Sequence, residues 1–300
     1  MDKSLEDIIS KDKIKYNEPM SKHTTMKVGG PADIMVFPDT VEEIINVINY
    51  AKKNNIPVKV IGHGSNIVVS DLGIEGIIIK FTCNMSDVTI DGEYIIVNAG
   101  ISMPKVAVVA KQNLLGGFEF ACGIPGTIGG GIKMNAGAYG GQLSDIIVSC
   151  KYLDNELNLK EIENKDMKHA YRHSIFIDNP THIILEAKFK LYKSNFEDID
   201  TKMKENNLSR KTKQPLEYPS AGSVFRRPEG YFVGKLISDC NLRGLCIGGA
   251  QVSEKHTGFI VNKGNATCED VRNLIKHIQE TVYEKFSVEL KTEVEFIGRF

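Results

Sequence analysis

Apolar positions along the chain recur with two different periods, and the change of period marks its elements. Behind Thr40, the residues Ile44, Val47 and Ile48 return at helical spacing. Thr40 and Glu43 form a T-x-x-E capping box at the start of that helix, and Asn54-Asn55-Ile56-Pro57 ends it. Val58–Ile61 and residues 77–81 are apolar and β-branched, which predicts two short buried strands across a glycine-rich turn. Residues 88–90 and Tyr94–Asn98 flank Asp91-Gly92, a hairpin signal. Residues 103–113 are helical in pattern and run out at Gly116-Gly117.

Residues 123–141 contain eight glycines and leave little room for a helix. Residues 146–153 and 182–191 read as strands. The charged stretch 194–214 reads as a helix or linker at a lobe boundary. A Gly- and Pro-punctuated segment (218–230), a short helix (231–238) and a strand (258–262) follow. After Thr267 an amphipathic stripe of Val271, Leu274, Ile275, Ile278 and Val282 predicts a long helix, started by Thr267 and Asp270. Residues 288–297 read as a closing strand. Strands and helices mix without a βαβ rhythm or an internal repeat, so the fold class is α+β.

At 300 residues the chain can bury a sizeable core. Its net charge of −1 lacks the basic excess of a polyanion binder, so no nucleic-acid partner is expected. The first 16 residues are polar and charged, without the apolar core of an export signal. No run approaches the roughly 18 apolar residues of a membrane span. Six scattered cysteines (Cys83, Cys122, Cys150, Cys240, Cys246, Cys268) form no C-x-x-C pair and have no histidines at zinc spacing. The expectation is a cytoplasmic protein with reduced thiols, no membrane contact and no metal.

Candidate chemistry concentrates in a few segments. Gly62-His63-Gly64-Ser65-Asn66 follows a strand, and its N–H groups suit an anion, although an ordinary strand-to-strand turn reads the same way. Ile67 occupies the place of the third glycine of a dinucleotide fingerprint. Gly123-Ile124-Pro125-Gly126-Thr127-Ile128-Gly129-Gly130-Gly131 favours a ligand cradle over a floppy loop. Each glycine costs about 0.5–1 kcal/mol against alanine, and the interleaved Ile124, Ile128, Ile132 and Met134 prefer burial. Gly230 to Leu236 falls one residue short of a P-loop and lacks its Ser or Thr. Ser223 has neither a nucleophile elbow nor a neighbouring base. It is either a structural serine or a proton donor. Arg172 and Glu293 say nothing singly.

Together these segments resemble the UDP-N-acetylenolpyruvoylglucosamine reductase family, of the flavin-fold superfamily typified by vanillyl-alcohol oxidase. The resemblance runs from His23-Thr24-Thr25-Met26-Lys27-Val28-Gly29-Gly30-Pro31-Ala32 to Glu293-Val294-Glu295-Phe296-Ile297-Gly298. Between them it takes in Met134-Asn135-Ala136-Gly137-Ala138-Tyr139, Tyr171-Arg172-His173-Ser174, Ser220-Ala221-Gly222-Ser223-Val224-Phe225 and Gly248-Gly249-Ala250-Gln251-Val252-Ser253-Glu254-Lys255-His256. Gly131 stands where the family commonly has alanine. No long insertion separates Arg172 from Ser223, which matches the compact subclass.

The resemblance implies an FAD-binding fold of the vanillyl-alcohol-oxidase/PCMH type in two lobes, plus a smaller substrate domain. Residues 1–82, joined by 288–300, would form lobe 1, residues 83–204 lobe 2, and residues 205–287 the UDP-sugar domain. Non-covalent FAD would touch Ile61, Gly62, His63, Gly64, Ser65, Asn66, Gly123, Ile124, Pro125, Gly126, Thr127, Gly129, Gly130, Asn135, Ala136 and Gly137. His63 and the cysteines could tether a flavin covalently, but a histidine in a turn is more often simply polar. NADPH would be the co-substrate and UDP-N-acetylenolpyruvoylglucosamine the substrate, in a monomer. Arg172 and Glu293 would flank the substrate carboxylate, with Glu293 protonated, and Ser223 would protonate the neighbouring carbon. Tyr171, Lys211, Arg226, Arg227, Lys235 and His256 are the candidates for the UDP-sugar. A flavin oxidase of the same superfamily and a non-enzymatic nucleotide-binding module are the competing readings.

Overall fold

The computed structural model describes residues 4–81 and 85–300, so Cys83 and the expected boundary after residue 82 lie outside the described residues. The chain divides into two compact units. The first comprises Met1–Lys15, Met35–His63 and Ile77–Arg210, and the second Tyr16–Ile34, Gly64–Gly76 and Lys211–Phe300.

In the first unit a five-stranded antiparallel sheet has the order Leu159–Glu163, Ile147–Leu153, Ile183–Lys190, Tyr94–Asn98, Val88–Asp91. Alternation buries Ile95 and Val97 on one strand and Ile183, Leu185, Ala187 and Phe189 on another. The expected hairpin closes with Gly92 at φ 61°. Val58–Ile61 pairs in parallel with the 77–80 end of Ile74–Lys80. The expected burial holds for Ile77, Ile78 and Ile79, but in Val58–Ile61 only Ile61 is buried, because Lys59 faces solvent and both valines are half-covered.

Helix α1 (Val41–Lys53) buries Ile44, Val47, Ile48 and Ala51. Thr40 Oγ1 accepts the Glu43 N–H as expected, but the reciprocal half of the box is absent. Glu43 instead accepts from the Asp39 N–H at 2.7 Å and from Lys13 at 2.6 Å. Helix α2 (Met103–Gln112) starts at Ser102, with proline in its first turn. The glycine-rich segment does contain a helix, α3 (Ile128–Lys133), contrary to the sequence expectation. Thr127 caps it, and Ile128 and Ile132 anchor it by burial, which outweighs the poor propensity of Gly129-Gly130-Gly131. A single turn, α4 (Ile175–Asp178), follows, and then α5 (Phe196–Lys213), so of the two readings of the charged stretch, helix or linker, the helix is the one found.

The second unit has an antiparallel sheet of order Ser220–Ser223, Phe259–Asn262, Ala250–Val252, Cys246–Ile247. Its core is closed by α6 (Val233–Asp239) and α7 (Cys268–Phe286). The α7 stripe is fully buried as expected, and Thr267 and Asp270 form a complete capping box. The closing segment is a strand only at Glu295–Ile297, which pairs in parallel with Ile67–Val69. Residues 291–293 instead make isolated main-chain contacts with residues 224–226.

Candidate active site

In the second unit, Gly64 adopts φ 66°, and a side chain there would meet the main chain of His23 and Thr24. Its carbonyl accepts the Thr25 N–H at 3.2 Å, and Thr25 Oγ1 donates onward to the Ser220 carbonyl at 2.6 Å. Among the described residues the main-chain N–H groups of Gly64, Ser65 and Asn66 take no partner, leaving three donors for an acceptor. The Asn66 side chain is engaged elsewhere, donating from Nδ2 to the Glu293 carbonyl at 3.0 Å.

Ser223 ends a strand whose register against Phe259–Asn262 shifts between Ser220 and Ser223, with Gly222 at φ 79° in the bulge. The serine is exposed. Glu293 donates its N–H to the Val224 carbonyl at 2.8 Å, and Arg226 donates to the Lys291 carbonyl at 2.8 Å. An acid-bearing segment and the serine strand thus run side by side, with Glu293 main chain bonded to the residue after Ser223.

In the first unit, Gly62 sits so close to the Thr127 side chain that a Cβ would collide with it. Thr127 Oγ1 accepts the Gly130 N–H at 3.3 Å. The Ile128 and Gly129 N–H groups donate at 2.9 Å to the carbonyls of Ile101 and Ala99. These glycines therefore serve close packing of the chain on itself, and the start of α3 has no donors left over. Gly126 takes the Met103 N–H on its carbonyl at 3.0 Å. Gly123 packs instead against Arg210, whose Cδ lies 2.8 Å from where a Cβ would stand. Burial pushes the Arg210 guanidinium below its ordinary value, and the groups that offset this are a phenol and a thiol, Tyr139 and Cys122. Among the described residues Arg210 has no carboxylate partner.

Asn135, 2% exposed and at φ 42°, accepts the Ser144 N–H at 3.0 Å and donates to the Ala170 carbonyl at 3.2 Å. It therefore braces the turn that carries Tyr171 and Arg172. The Ala136 N–H donates to the Gly131 carbonyl at 2.8 Å, and Gly137–Ala138 pairs with Gly141–Gln142. Lys80, opposite Ile61, is buried, and burial first and Lys15 second bring its pKa down to about 8. His63 is pushed below its ordinary value by burial and then by Lys80.

Each residue expected for the UDP-sugar has its own local surroundings. Tyr171 is exposed, with the Arg172 guanidinium 5.0 Å from its ring centroid. Arg227 lies 4.1 Å over the Phe232 ring, and Lys235 pairs with Asp239 at 2.7 Å. The carbonyl of Lys211 accepts from Lys255 at 2.7 Å, and Arg226 is exposed. His256 accepts the Gly258 N–H on Nδ1 at 3.2 Å, and burial lowers its pKa. Among the described residues no three His, Cys, Asp or Glu side chains are grouped to hold a metal. No helix there is long and apolar enough to cross a membrane.

A family model described as the C-terminal domain of UDP-N-acetylenolpyruvoylglucosamine reductase matches residues 214–297, and one described as an FAD binding domain matches residues 32–157. A UDP-N-acetylenolpyruvoylglucosamine reductase of Caldanaerobacter subterraneus subsp. tengcongensis is 48% identical over 98% of this chain and 97% of the relative. The chain belongs to the UDP-N-acetylenolpyruvoylglucosamine reductase family. A Clostridium perfringens reductase of that name is 45% identical over 99% of this chain and 97% of its own length. The crystal structure of UDP-N-acetylenolpyruvylglucosamine reductase from Thermus caldophilus matches with a TM-score of 0.80 at 30% identity, covering 94% of this chain and 97% of that one. The chain is accordingly an FAD-dependent oxidoreductase, and the expected α+β fold, an FAD-binding part followed by a separate C-terminal domain, is the one found.

Two structural features escaped the sequence reading. Arg210 looks like one more charge in a polar helix, and only its packing on Gly123 distinguishes it. The hydrogen bond from Asn66 to Glu293 spans 227 residues and has no local signal.

Proposed function

We propose that the chain reduces UDP-N-acetylenolpyruvoylglucosamine to UDP-N-acetylmuramate in the cytoplasm, a step of peptidoglycan precursor synthesis, with NADPH as co-substrate and as a monomer. The observation that carries this reading is full-length similarity to reductases of that name, joined to the main-chain pairing of Glu293 with the residue after Ser223. In this reading lobe 1 is residues 1–82 with 288–300, lobe 2 residues 83–204, and the UDP-sugar domain residues 205–287.

The turn at Gly64, Ser65 and Asn66, with unused main-chain N–H donors among the described residues, suits the cofactor's diphosphate. Arg210, packed on Gly123 and half-buried without a carboxylate among the described residues, is a separate candidate for an anionic group of the cofactor. Bound FAD, non-covalent, would supply the hydride taken from NADPH and given to the terminal enol carbon. Arg172 holds the substrate carboxylate, and Glu293 donates a hydrogen bond to the charge that grows there. Ser223 releases its proton to the adjacent carbon, a centre basic enough to accept from a hydroxyl. Tyr171, Lys211, Arg226, Arg227, Lys235 and His256 contact the UDP-sugar.

Anaerobic reduction of the bound flavin by NADPH, followed by reoxidation with the enolpyruvyl UDP-sugar, tests the assignment. Ser223→Ala should leave the first step intact and slow the second by about 10²–10⁴-fold. Equal loss in both steps would remove the serine from its role. Fast oxidation by oxygen with peroxide release, and no response to the sugar, would favour an oxidase.

A further inference from the structure

Tyr171 and Arg172 occupy the tip of a tight turn in which Ala170 and His173 exchange both main-chain hydrogen bonds at 3.2 Å. Arg172 sits there at φ 55°, a conformation that costs a non-glycine residue energy and needs support from its surroundings. Asn135 supports the turn through the Ala170 carbonyl. Ser174, fully buried, supports it through a bond to the Lys133 carbonyl at 2.8 Å. The third support is His173. Its Nδ1 lies 3.2 Å from the Lys168 carbonyl oxygen and its Nε2 3.0 Å from Asp178 Oδ1 on α4. Both partners only accept, whereas a neutral imidazole carries a single N–H. The ring satisfies both contacts only with a proton on each nitrogen.

His169, in the same loop, is the opposite case. Its ring nitrogens are buried, and burial pushes its pKa down, with a partial offset from the His173 main chain. Among the described residues, the titratable groups seen to interact with His173 are Asp178 from α4 and His169 from its own loop.

We propose that His173 is a positioning residue for Arg172, clamping the 168–178 loop as an imidazolium and so holding the guanidinium ready for the substrate carboxylate. Loss of one proton removes either the Lys168 or the Asp178 contact and slackens the turn. This rests on the proposed role of Arg172 in the reductase reaction.

The test uses reduced holoenzyme, measuring reoxidation by the enolpyruvyl UDP-sugar from about pH 5 to 9, with flavin reduction by NADPH as the control step. The ratio of wild-type to His173→Gln reoxidation rates should be about two- to five-fold at low pH, the scale of an exposed ion pair. It should fall toward one by the alkaline end of that range. His173→Arg, a permanent cation with several donors, should stay near the fast plateau across the whole range, and Asp178→Asn should behave like His173→Gln. NADPH reduction should keep one pH profile in all four proteins. A His173→Gln enzyme with the wild-type rate and inflection overturns the proposal. Arg172→Met separates the two readings. If it leaves reoxidation unchanged, the role of Arg172 falls. If it slows reoxidation while His173→Gln does not, only the role of His173 falls.

Discussion

The Asn66 side chain donates to the main-chain carbonyl of Glu293 at 3.0 Å, and the Asn66 carbonyl accepts the N–H of Glu295 at 2.9 Å. A residue of the glycine turn thus holds the main chain on either side of Val294, directly after the proposed acid. Losing such a bond costs about 0.5–1.5 kcal/mol. Asn66→Ala is expected to lower the stability of the full chain by that amount in urea titrations. It should also slow reoxidation by the enolpyruvyl sugar more than it slows flavin reduction by NADPH. Stopped-flow traces with equal slowing of both steps would show that Asn66 serves the flavin and not Glu293.

Arg210 offers the second test. Its side chain lies along Gly123, and no carboxylate among the described residues neutralises it. A charge-assisted hydrogen bond to a phosphate contributes about 1.5–3 kcal/mol, or roughly ten- to a hundred-fold in affinity. Arg210→Gln should weaken FAD binding by that factor, read from the rise of free-flavin fluorescence on dilution. An unchanged dissociation constant would leave Arg210 with no part in holding the cofactor.

What the sequence disclosed follows the range of each interaction. Helix α7 was legible because its capping box and apolar stripe are local, set by residues three and four apart. Helix α3 was hidden because three glycines argue against a helix, while the support comes from Thr127 and from burial of Ile128 and Ile132. The closing segment misled because its apolar residues Val288, Leu290 and Val294 join the core of the second unit without forming a ladder. At the candidate site, the residue types come from the resemblance. The bonds that orient them, from Thr25 to Ser220 and from Asn66 to Glu293, cross about two hundred residues and could only be seen in the fold.

Asp71 exemplifies such a remote contact with a stability consequence. Its carboxylate accepts the N–H groups of Cys268 at 2.8 Å and Glu269 at 3.1 Å, capping α7 from 197 residues away. Helix starts leave N–H groups in need of an acceptor, and a negative charge there also suits the helix dipole. Asp71→Ala should lower the urea midpoint of the full chain by the equivalent of about 1–2 kcal/mol, followed by far-UV circular dichroism. Asp71→Asn, which keeps one acceptor, should fall between. A variant as stable as the parent would mean that Thr267 and water cap the helix adequately.

Lys80 gives the chain a pH signature in the alkaline range. Its ammonium is buried, and its pKa falls from 10.5 to about 8, chiefly through lost hydration. Between about pH 8 and 10.5 the unfolded chain therefore binds more protons here than the folded one, so this group makes stability rise with pH across that window. Below pH 8 the full penalty, about 3 kcal/mol, is present. Lys80→Met removes it. The variant should be more stable than the parent at pH 7 by up to about that amount, and its advantage should shrink by pH 10. Urea titrations of the two proteins at both pH values decide the matter. An advantage that does not change with pH would mean that the gain comes from packing of the methionine and that the Lys80 ammonium is well solvated in the fold.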